Sequence, residues 1–311
     1  MHYPTYNRSQ SAVATTLHPA FITGFSYAES CFNINITKSK THKIGWVVQL
    51  CFIISLHKKD TALLEQIKYS LGVGNVKKQG KDSIQLRVSS VKDLQVIVDL
   101  FDKYPLITQK LADYLLFKRA FELINRKEHL TTEGWLRIIA IKASMNNGLS
   151  DELKAAFPDI TPVPRPEVTN QVIKDPNWLS GFVEGDGCFS ICVVKSSRSK
   201  YGALVQLFFN ITQHSRDEQL LKSLVNYLGC GGYYLVSGRD LGKFIVTRFS
   251  DIESKIMPFF EKYPLQGVKS LDYADFKRVA ELVKNKAHLT ASGLEEIKQI
   301  KSGMNRGRSS D

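Results

Sequence analysis

From Phe21 to Ala28, and again from Trp178 to Gly185, the chain carries a short apolar run with a glycine, Gly24 or Gly181, where a helix interior would favour alanine. A mid-helix glycine costs roughly 1 kcal/mol against alanine, so the run predicts either a turn or a helix that another helix approaches closely. Two helices meeting through such faces would bring their C-terminal ends side by side, and each run ends in an acid, Glu29 or Asp186. The period then switches to two. Phe32, Ile34 and Ile36 alternate with Asn33, Asn35 and Thr37; Trp46, Val48, Leu50, Phe52, Ile54 and Leu56 alternate with Val47, Gln49, Cys51, Ile53 and Ser55. Alternation of this kind predicts two strands, each with one buried face. Further on, the buried set is Phe189, Ile191 and Val193, then Val205, Leu207, Phe209 and Ile211, while Ser190, Cys192, Gln206, Asn210 and Thr212 lie opposite.

Amphipathic helices are expected at Thr61–Ser70 and Glu218–Tyr227, each stopped by a Leu-Gly pair suited to a C-terminal cap. A second hairpin follows in each place. In the first, Lys77, Lys78, Gln79 and Lys81 surround Gly80, and Gln85 and Arg87 face away from Ile84, Leu86 and Val88; Arg239, Lys243 and Thr247 hold comparable places later. Helical patterns from about Val91 to Lys103 and from Lys110 to Asn125 close the unit. The predicted order is helix, two strands, helix, two strands, helices.

That order occurs twice because the sequence itself does. Phe21–Phe32 returns as Trp178–Phe189, 157 residues later, and Val48-Gln-Leu50, His57, Asp60 and Leu71-Gly72 return at the same offset. The offset then drifts to 159, where Lys103-Tyr-Pro-Leu106, Phe117-Lys-Arg119, His129-Leu-Thr131 and Met145-Asn146 recur. Between Phe101–Gly148 and Phe260–Gly307, 24 of 48 aligned positions are identical, which excludes coincidence. Between the copies, Pro158, Pro162, Pro164, Pro166 and Pro176 forbid a helix over most of the segment. The division expected is an extension over 1–19, a first repeat over 20–148, a linker over 149–177, a second repeat over 178–307 and a tail over 308–311. The linker reads as a strap between the halves or as a loose tether.

Charge turns this architecture towards a partner. The 311 residues hold 42 Lys+Arg against 30 Asp+Glu, a net +12, which favours a polyanion. A hydrophobic content of 43% supplies a full core and excludes a chain disordered throughout. No apolar stretch approaches 18 residues, so a soluble chain without a membrane span is expected. Five cysteines without a CxxC pair argue for reduced thiols rather than a disulfide framework or a zinc site. The first 16 residues lack the apolar core of a secretory signal and hold one Arg, too few for a transit peptide.

The polar sheet faces are rich in Asn, Gln, Ser, Thr, Lys and Arg, residue types that hydrogen-bond to base edges and phosphates. An ordinary solvated sheet surface is the alternative. Duplicated, the faces present two surfaces with the symmetry of a duplex. The candidate DNA contacts on the first are Asn33, Asn35, Thr37, Ser39, Lys40, Lys43, Gln49, Ser55, Lys77, Lys78, Gln79, Lys81, Gln85 and Arg87. On the second they are Ser190, Cys192, Lys195, Arg198, Lys200, Gln206, Asn210, Arg239, Lys243 and Thr247.

Ile22-Thr-Gly-Phe-Ser-Tyr-Ala-Glu-Ser30 and Leu179-Ser-Gly-Phe-Val-Glu-Gly-Asp-Gly187 resemble the paired signature of the LAGLIDADG homing endonucleases, in the single-chain form found in fungal mitochondrial introns. The likeness runs from Phe21 to Gly307. It implies an α+β fold of two pseudo-symmetric αββαββα repeats, motif helices paired at the interface, and two antiparallel sheets forming a saddle in the DNA major groove. It also implies a monomer that cleaves both strands of a long asymmetric site, leaving short 3′ overhangs. Carried over residue by residue, the catalytic acids fall on Glu29 and Asp186. The first motif departs from the family word at Tyr27, where an acid is common, and at Ser30, where glycine is usual.

Phosphodiester hydrolysis needs activated water and a cation on the leaving oxygen, for which hard oxygen ligands hold Mg²⁺. In the family pattern, Glu29 and Asp186, with backbone oxygens of Ala28 and Gly185, would hold two or three divalent ions, Mn²⁺ or Ca²⁺ substituting for binding. Lys110 and Lys269 are candidates to stabilise the transition state, or else helix-start lysines in water. Gln213 is a candidate for positioning water on one side only, since its repeat mate is Leu56. Thr131 and Thr290 read as helix caps after structural His129 and His288, and the three tryptophans as core or interface. The rival readings are an intron RNA maturase, with RNA as partner, and a sequence-specific DNA-binding protein that does not cut. The resemblance points to mitochondria, where synthesis inside the organelle would make a transit signal unnecessary.

Overall fold

A computed structural model describes residues 15–197 and 201–308. Helix α1 (Pro19–Glu29) leads into strands β1 (Ser30–Lys38) and β2 (Trp46–His57), helix α2 (Thr61–Leu71), strands β3 (Asn75–Gln79) and β4 (Ser83–Val88), and helices α3 (Val91–Lys103), α4 (Lys110–Asn125) and α5 (Thr132–Ala143). After a short α6 (Asp151–Ala156) the plan repeats: α7 (Pro176–Asp186), β5 (Gly187–Lys195), β6 (Ala203–His214), α8 (Glu218–Leu228), β7 (Gly232–Leu235) and β8 (Leu241–Val246). Helices α9 (Phe249–Asp251) and α10 (Met257–Lys262) then flank a π turn, Ile252–Ile256, and α11 (Lys269–Lys284) and α12 (Ala291–Ser302) finish the unit. The π turn stands where the first half has the unbroken α3. Pro258 lacks the N–H that a regular helix needs there, and its first-half mate is Asp99.

Each half holds one four-stranded antiparallel sheet, ordered β1-β2-β4-β3 or β5-β6-β8-β7. The two cores are built alike. Phe32 lies 5.3–5.5 Å, ring to ring, from Phe52, Phe101, Tyr114 and Phe117, and its mate Phe189 lies 5.1–5.4 Å from Phe209, Phe260, Tyr273 and Phe276. Gly72 and Gly229 end α2 and α8 at φ of 69° and 66°, the left-handed cap expected of the Leu-Gly pairs.

The parallel helices α1 and α7 join the halves. A Cβ on Gly24 would lie 1.9 Å from the Trp178 carbonyl oxygen, and one on Gly181 2.0 Å from that of Phe21. Only glycine allows that approach, which is why the motif spends helix propensity at these two positions.

The linker is a packed strap. Val163 and Ser144 tie it to α5, Leu153 is buried against Trp135 and Ile139, and Gln171, 2% exposed, bonds Asp217 and the Leu220 amide of the second half. Thr131 and Thr290 accept from the amides of Gly134 and Gly293, as helix caps do. Trp135 and Trp178 are buried. All five cysteines are free, and no described helix is long and apolar enough to cross a membrane.

Strand register sorts the candidate DNA contacts. Asn33, Asn35 and Thr37 share one face with Gln49, Ser55, Gln85, Arg87, Lys77 and Gln79, the side away from Phe32 and Phe52. Lys78 is a correction: it pairs with Ile84 and therefore projects from the opposite face of β3. Lys195 is another, since it follows the parity of Ile191 and Val193 at the end of β5. Arg198 and Lys200 lie outside the described residues, as do positions 1–14. Ser39, Lys40 and Lys43 lie at the tip between β1 and β2, Lys81 in the turn after β3, and Arg239 in the turn before β8; Thr247 is exposed just past β8. Ser190, Cys192, Gln206, Asn210 and Lys243 share the second polar face. That face is more apolar than its composition implied, because Val194, Leu204 and Tyr234 stand exposed among them. Cys51 departs from the alternation: it lies on the polar face yet is buried, because Arg87 and Asn35 cover its sulfur.

Candidate active site

Glu29 is the last residue of α1 and Asp186 the last of α7, so the close packing of these helices brings both carboxylates within electrostatic reach of each other. Ala28 and Gly185 meet just beneath them; a Cβ on Gly185 would fall 2.1 Å from that of Ala28. Burial holds both carboxyl groups above the ordinary carboxylate range, and for Glu29 the charge of Asp186 adds to this. The pull of Lys269 and Lys110 opposes the shift without cancelling it.

Those lysines open α11 and α4 and are not solvated helix starts. Lys269 Nζ donates to the carbonyls of Val183 (3.0 Å) and Gly185 (2.8 Å), and Lys110 Nζ donates to those of Ser26 (3.1 Å) and Ser30. Each ammonium thus sits at the C-terminus of its own half's motif helix, where the helix dipole favours a cation. Burial lowers both pKa values, that of Lys110 to about 8. The Gly185 carbonyl, expected among the metal ligands, is already an acceptor for Lys269.

Gln213 lies on the core-side parity of β6, with Ile211, and so on the side of the sheet opposite its polar face. It bonds Asp186 and lies 2.9 Å from the Tyr27 hydroxyl. Leu56, at the equivalent position, is buried, and the two sides of the site therefore differ.

Several working residues escape a linear reading. Tyr27 donates to Asp217 Oδ2 at 2.7 Å, and Asp217 Oδ1 accepts from the amide of Gln109, the residue before Lys110. In the mirror position, Asp60 accepts from the amide of Val268, the residue before Lys269, while Glu184, the mate of Tyr27, accepts from the amide of Gln266. Each half thus fixes the start of the helix that carries the other half's lysine. The only linear signal was that Asp60 and Asp217 recur at the offset of the motifs. Ser30 is explained in the same way. Its hydroxyl bonds the Ser26 carbonyl, whereas in the second copy Val183 replaces Ser26 and a Cβ at Gly187 would lie 2.5 Å from the valine side chain.

No group of three or more His, Cys, Asp or Glu among the described residues could by itself hold a metal ion. Two half-buried hard-oxygen donors that repel each other nevertheless suit Mg²⁺ or Ca²⁺, with phosphate, water or backbone oxygens completing the shell.

Two fused αββαββα halves with an acid at the end of each interface helix define a single class, and the chain belongs to the LAGLIDADG endonuclease family, whose model matches residues 22–121 and 179–280. The Neurospora crassa proteins named probable intron-encoded endonuclease 3 and probable intron-encoded endonuclease 2 are 39% and 40% identical to it, over 95% and 94% of the chain. The chain spans 55% and 66% of their lengths. Among solved structures, the I-SmaMI LAGLIDADG homing endonuclease bound to cleaved DNA is 47% identical with a TM-score of 0.92, covering 94% of this chain and 99% of that one. The same enzyme bound to an uncleaved DNA target with calcium ions is 46% identical, with a TM-score of 0.91 and coverages of 93% and 99%.

Proposed function

We propose that this protein is a monomeric, site-specific DNA endonuclease that uses Mg²⁺ to break both strands of a long asymmetric target, leaving short 3′ overhangs. The observation that carries the reading is the half-buried pair Glu29 and Asp186, held together by glycine-mediated helix contact and bracketed by Lys110 and Lys269. The similar I-SmaMI structures, one bound to cleaved DNA and one to an uncleaved DNA target in the presence of calcium ions, support it. Intron-encoded relatives, among them a protein in a Podospora anserina ND4 intron that is 50% identical over 38% of this chain, support action in mitochondria.

Glu29, Asp186 and the Ala28 carbonyl would hold the divalent ions, which supply Lewis-acid activation of water and charge neutralisation at the leaving oxygen. The remaining roles fall to the chain itself. The polar sheet faces bind and orient the duplex. Lys110 and Lys269 place positive charge where negative charge develops on the phosphate, and their partly buried setting strengthens that effect. Gln213, braced by Tyr27, orients water beside Asp186. Its absence on the Glu29 side, where Leu56 stands, makes the two strands unequal in rate.

Incubation of a plasmid library carrying intronless mitochondrial genes with the protein and Mg²⁺ should yield one discrete cut, and sequencing the ends should give 3′ overhangs. Tight, sequence-specific binding with no cut in any divalent ion would leave a DNA-binding protein instead. Replacing Lys110 or Lys269 by Met should slow single-turnover cleavage by about 10²-fold each. An unchanged rate would return these lysines to a purely structural role.

A further inference from the structure

Two clefts flank the carboxylate pair, one beside each half, and their volumes are nearly equal, about 830 and 800 Å³. Their cations correspond. Lys110 and Lys142 line the first, and their repeat mates Lys269 and Lys301 line the second. A third pair crosses over: Arg216, from the second half, lines the first-half cleft, and its mate Lys59, from the first half, lines the other. The crossing follows from the fold, because the neighbouring Asp217 and Asp60 are bound to the amides of Gln109 and Val268 in the opposite half.

The cleft cations are almost free of ion pairs. Among the described residues Lys59, Lys142 and Lys301 form no ion pair, and Arg216 reaches only Asp217 of its own half, at 3.8 Å. Several cations on the outer helices are matched instead: Lys118 with Asp102, Lys277 with Glu261, Arg278 with Glu296 and Lys284 with Glu253. Asp113 and Asp272, the acids that line the clefts, are each already taken by an arginine, Arg165 at 2.7 Å and Arg308 at 2.8 Å. What is left is unbalanced positive charge in two matched concavities beside the catalytic acids, a setting that favours an anion of repeating charge.

We propose that the two clefts seat backbone phosphates of the DNA on either side of the cleavage positions, one strand to each cleft, with Lys59 and Arg216 each gripping the strand held by the opposite half. This rests on the nuclease reading and adds a sequence-independent binding site to it. Because each strand is gripped from both halves, the clefts also fix the duplex across the α1–α7 seam, so that both scissile phosphates meet the carboxylates together.

The test is binding of a labelled duplex of arbitrary sequence, without divalent ions, over a range of salt concentrations. Each lost phosphate contact lowers the slope of log affinity against log salt by about 0.9. Replacing Lys59, Lys142, Arg216 and Lys301 together by Ala is expected to reduce the slope by roughly 3 to 4, with melting temperature close to wild type. The control removes the same charge from the helical side, with Ala at Lys68, Lys103, Lys222 and Lys262, and should leave the slope nearly unchanged. An unchanged slope in the cleft variant, or equal losses in both, overturns the proposal. Cleavage by wild-type protein alongside an unchanged slope in the cleft variant would overturn the phosphate seats and leave the nuclease. The predicted loss of slope without any cleavage would overturn the nuclease and leave the seats.

Discussion

Replacing Glu29 by Gln and Asp186 by Asn together should lower cleavage by at least about 10³-fold while raising the stability of the DNA-free protein at neutral pH. The amides keep the shape of the carboxyl groups but remove the charge that would hold a divalent ion, a contribution of several kcal/mol. The stability gain has a definite pH dependence. Both groups sit above their ordinary values of 4.5 and 3.8, so the folded protein binds their protons more tightly than the unfolded chain does. As pH rises from those ordinary values to the raised ones, the unfolded chain releases protons first and wild-type stability falls; above the raised values the loss is complete. The amide variant has no such loss. In EDTA its melting temperature should exceed wild type at pH 7, with the gap closing below pH 3.8, the ordinary value for Asp. A gap that stays constant with pH would show that the carboxyl pair is not strained, and retained cleavage would sink the catalytic assignment.

Gly24→Ala and Gly181→Ala should each destabilise the protein by about 3 kcal/mol, lowering the melting temperature by roughly 6–12 °C. The new methyl group on residue 24 would meet only backbone: the Trp178 carbonyl oxygen at 1.9 Å, its carbon at 2.8 Å and the Phe182 nitrogen at 2.9 Å. No rotamer change relieves such a contact, so the helices must separate. Because Glu29 and Asp186 terminate these helices, separation also misplaces the acids, and a displacement near 1 Å can cost about 10²-fold in rate. Gly303→Ala serves as the comparison, since its nearest added contact is 3.6 Å away at an ordinary φ of −89°. Thermal unfolding and single-turnover cleavage of the three variants decide the matter; helix propensity alone would make alanine the more stable residue at position 24, so a loss at Gly303 equal to that at Gly24 would mean that the close approach of α1 and α7 does not set the cost.

The elements were readable in the chain because each buries one face, and burial imposes a period. Val91–Lys103 and Lys110–Asn125 are helices over the expected residues, and the Leu-Gly stops of α2 and α8 are left-handed caps. Side-chain direction was readable only while alternation held without interruption. Lys78 and Lys195 stood among polar neighbours, and composition assigned them to the DNA face; pairing with Ile84 and the parity of Val193 send them the other way. Cys51 is buried on the polar face because cross-strand neighbours from β1 and β4 close over it, and no property of its own strand encodes that.

The sequence by itself determined the two-fold plan, the identity of the paired acids and the glycines that let them meet, since each follows from local periodicity or from one residue written twice at a fixed offset. Tertiary structure decided how the acids are served. Gln109 is held by Asp217, 108 positions away, and Val268 by Asp60, 208 positions away. The lysines that flank the acids are therefore aimed by the opposite half, and Lys59 and Arg216 reach clefts that their own repeats do not form. Repeats encode what each half contains. Which group of one half touches the other depends on the crossing of two helices at close range, a geometry that exists only when both are folded and packed.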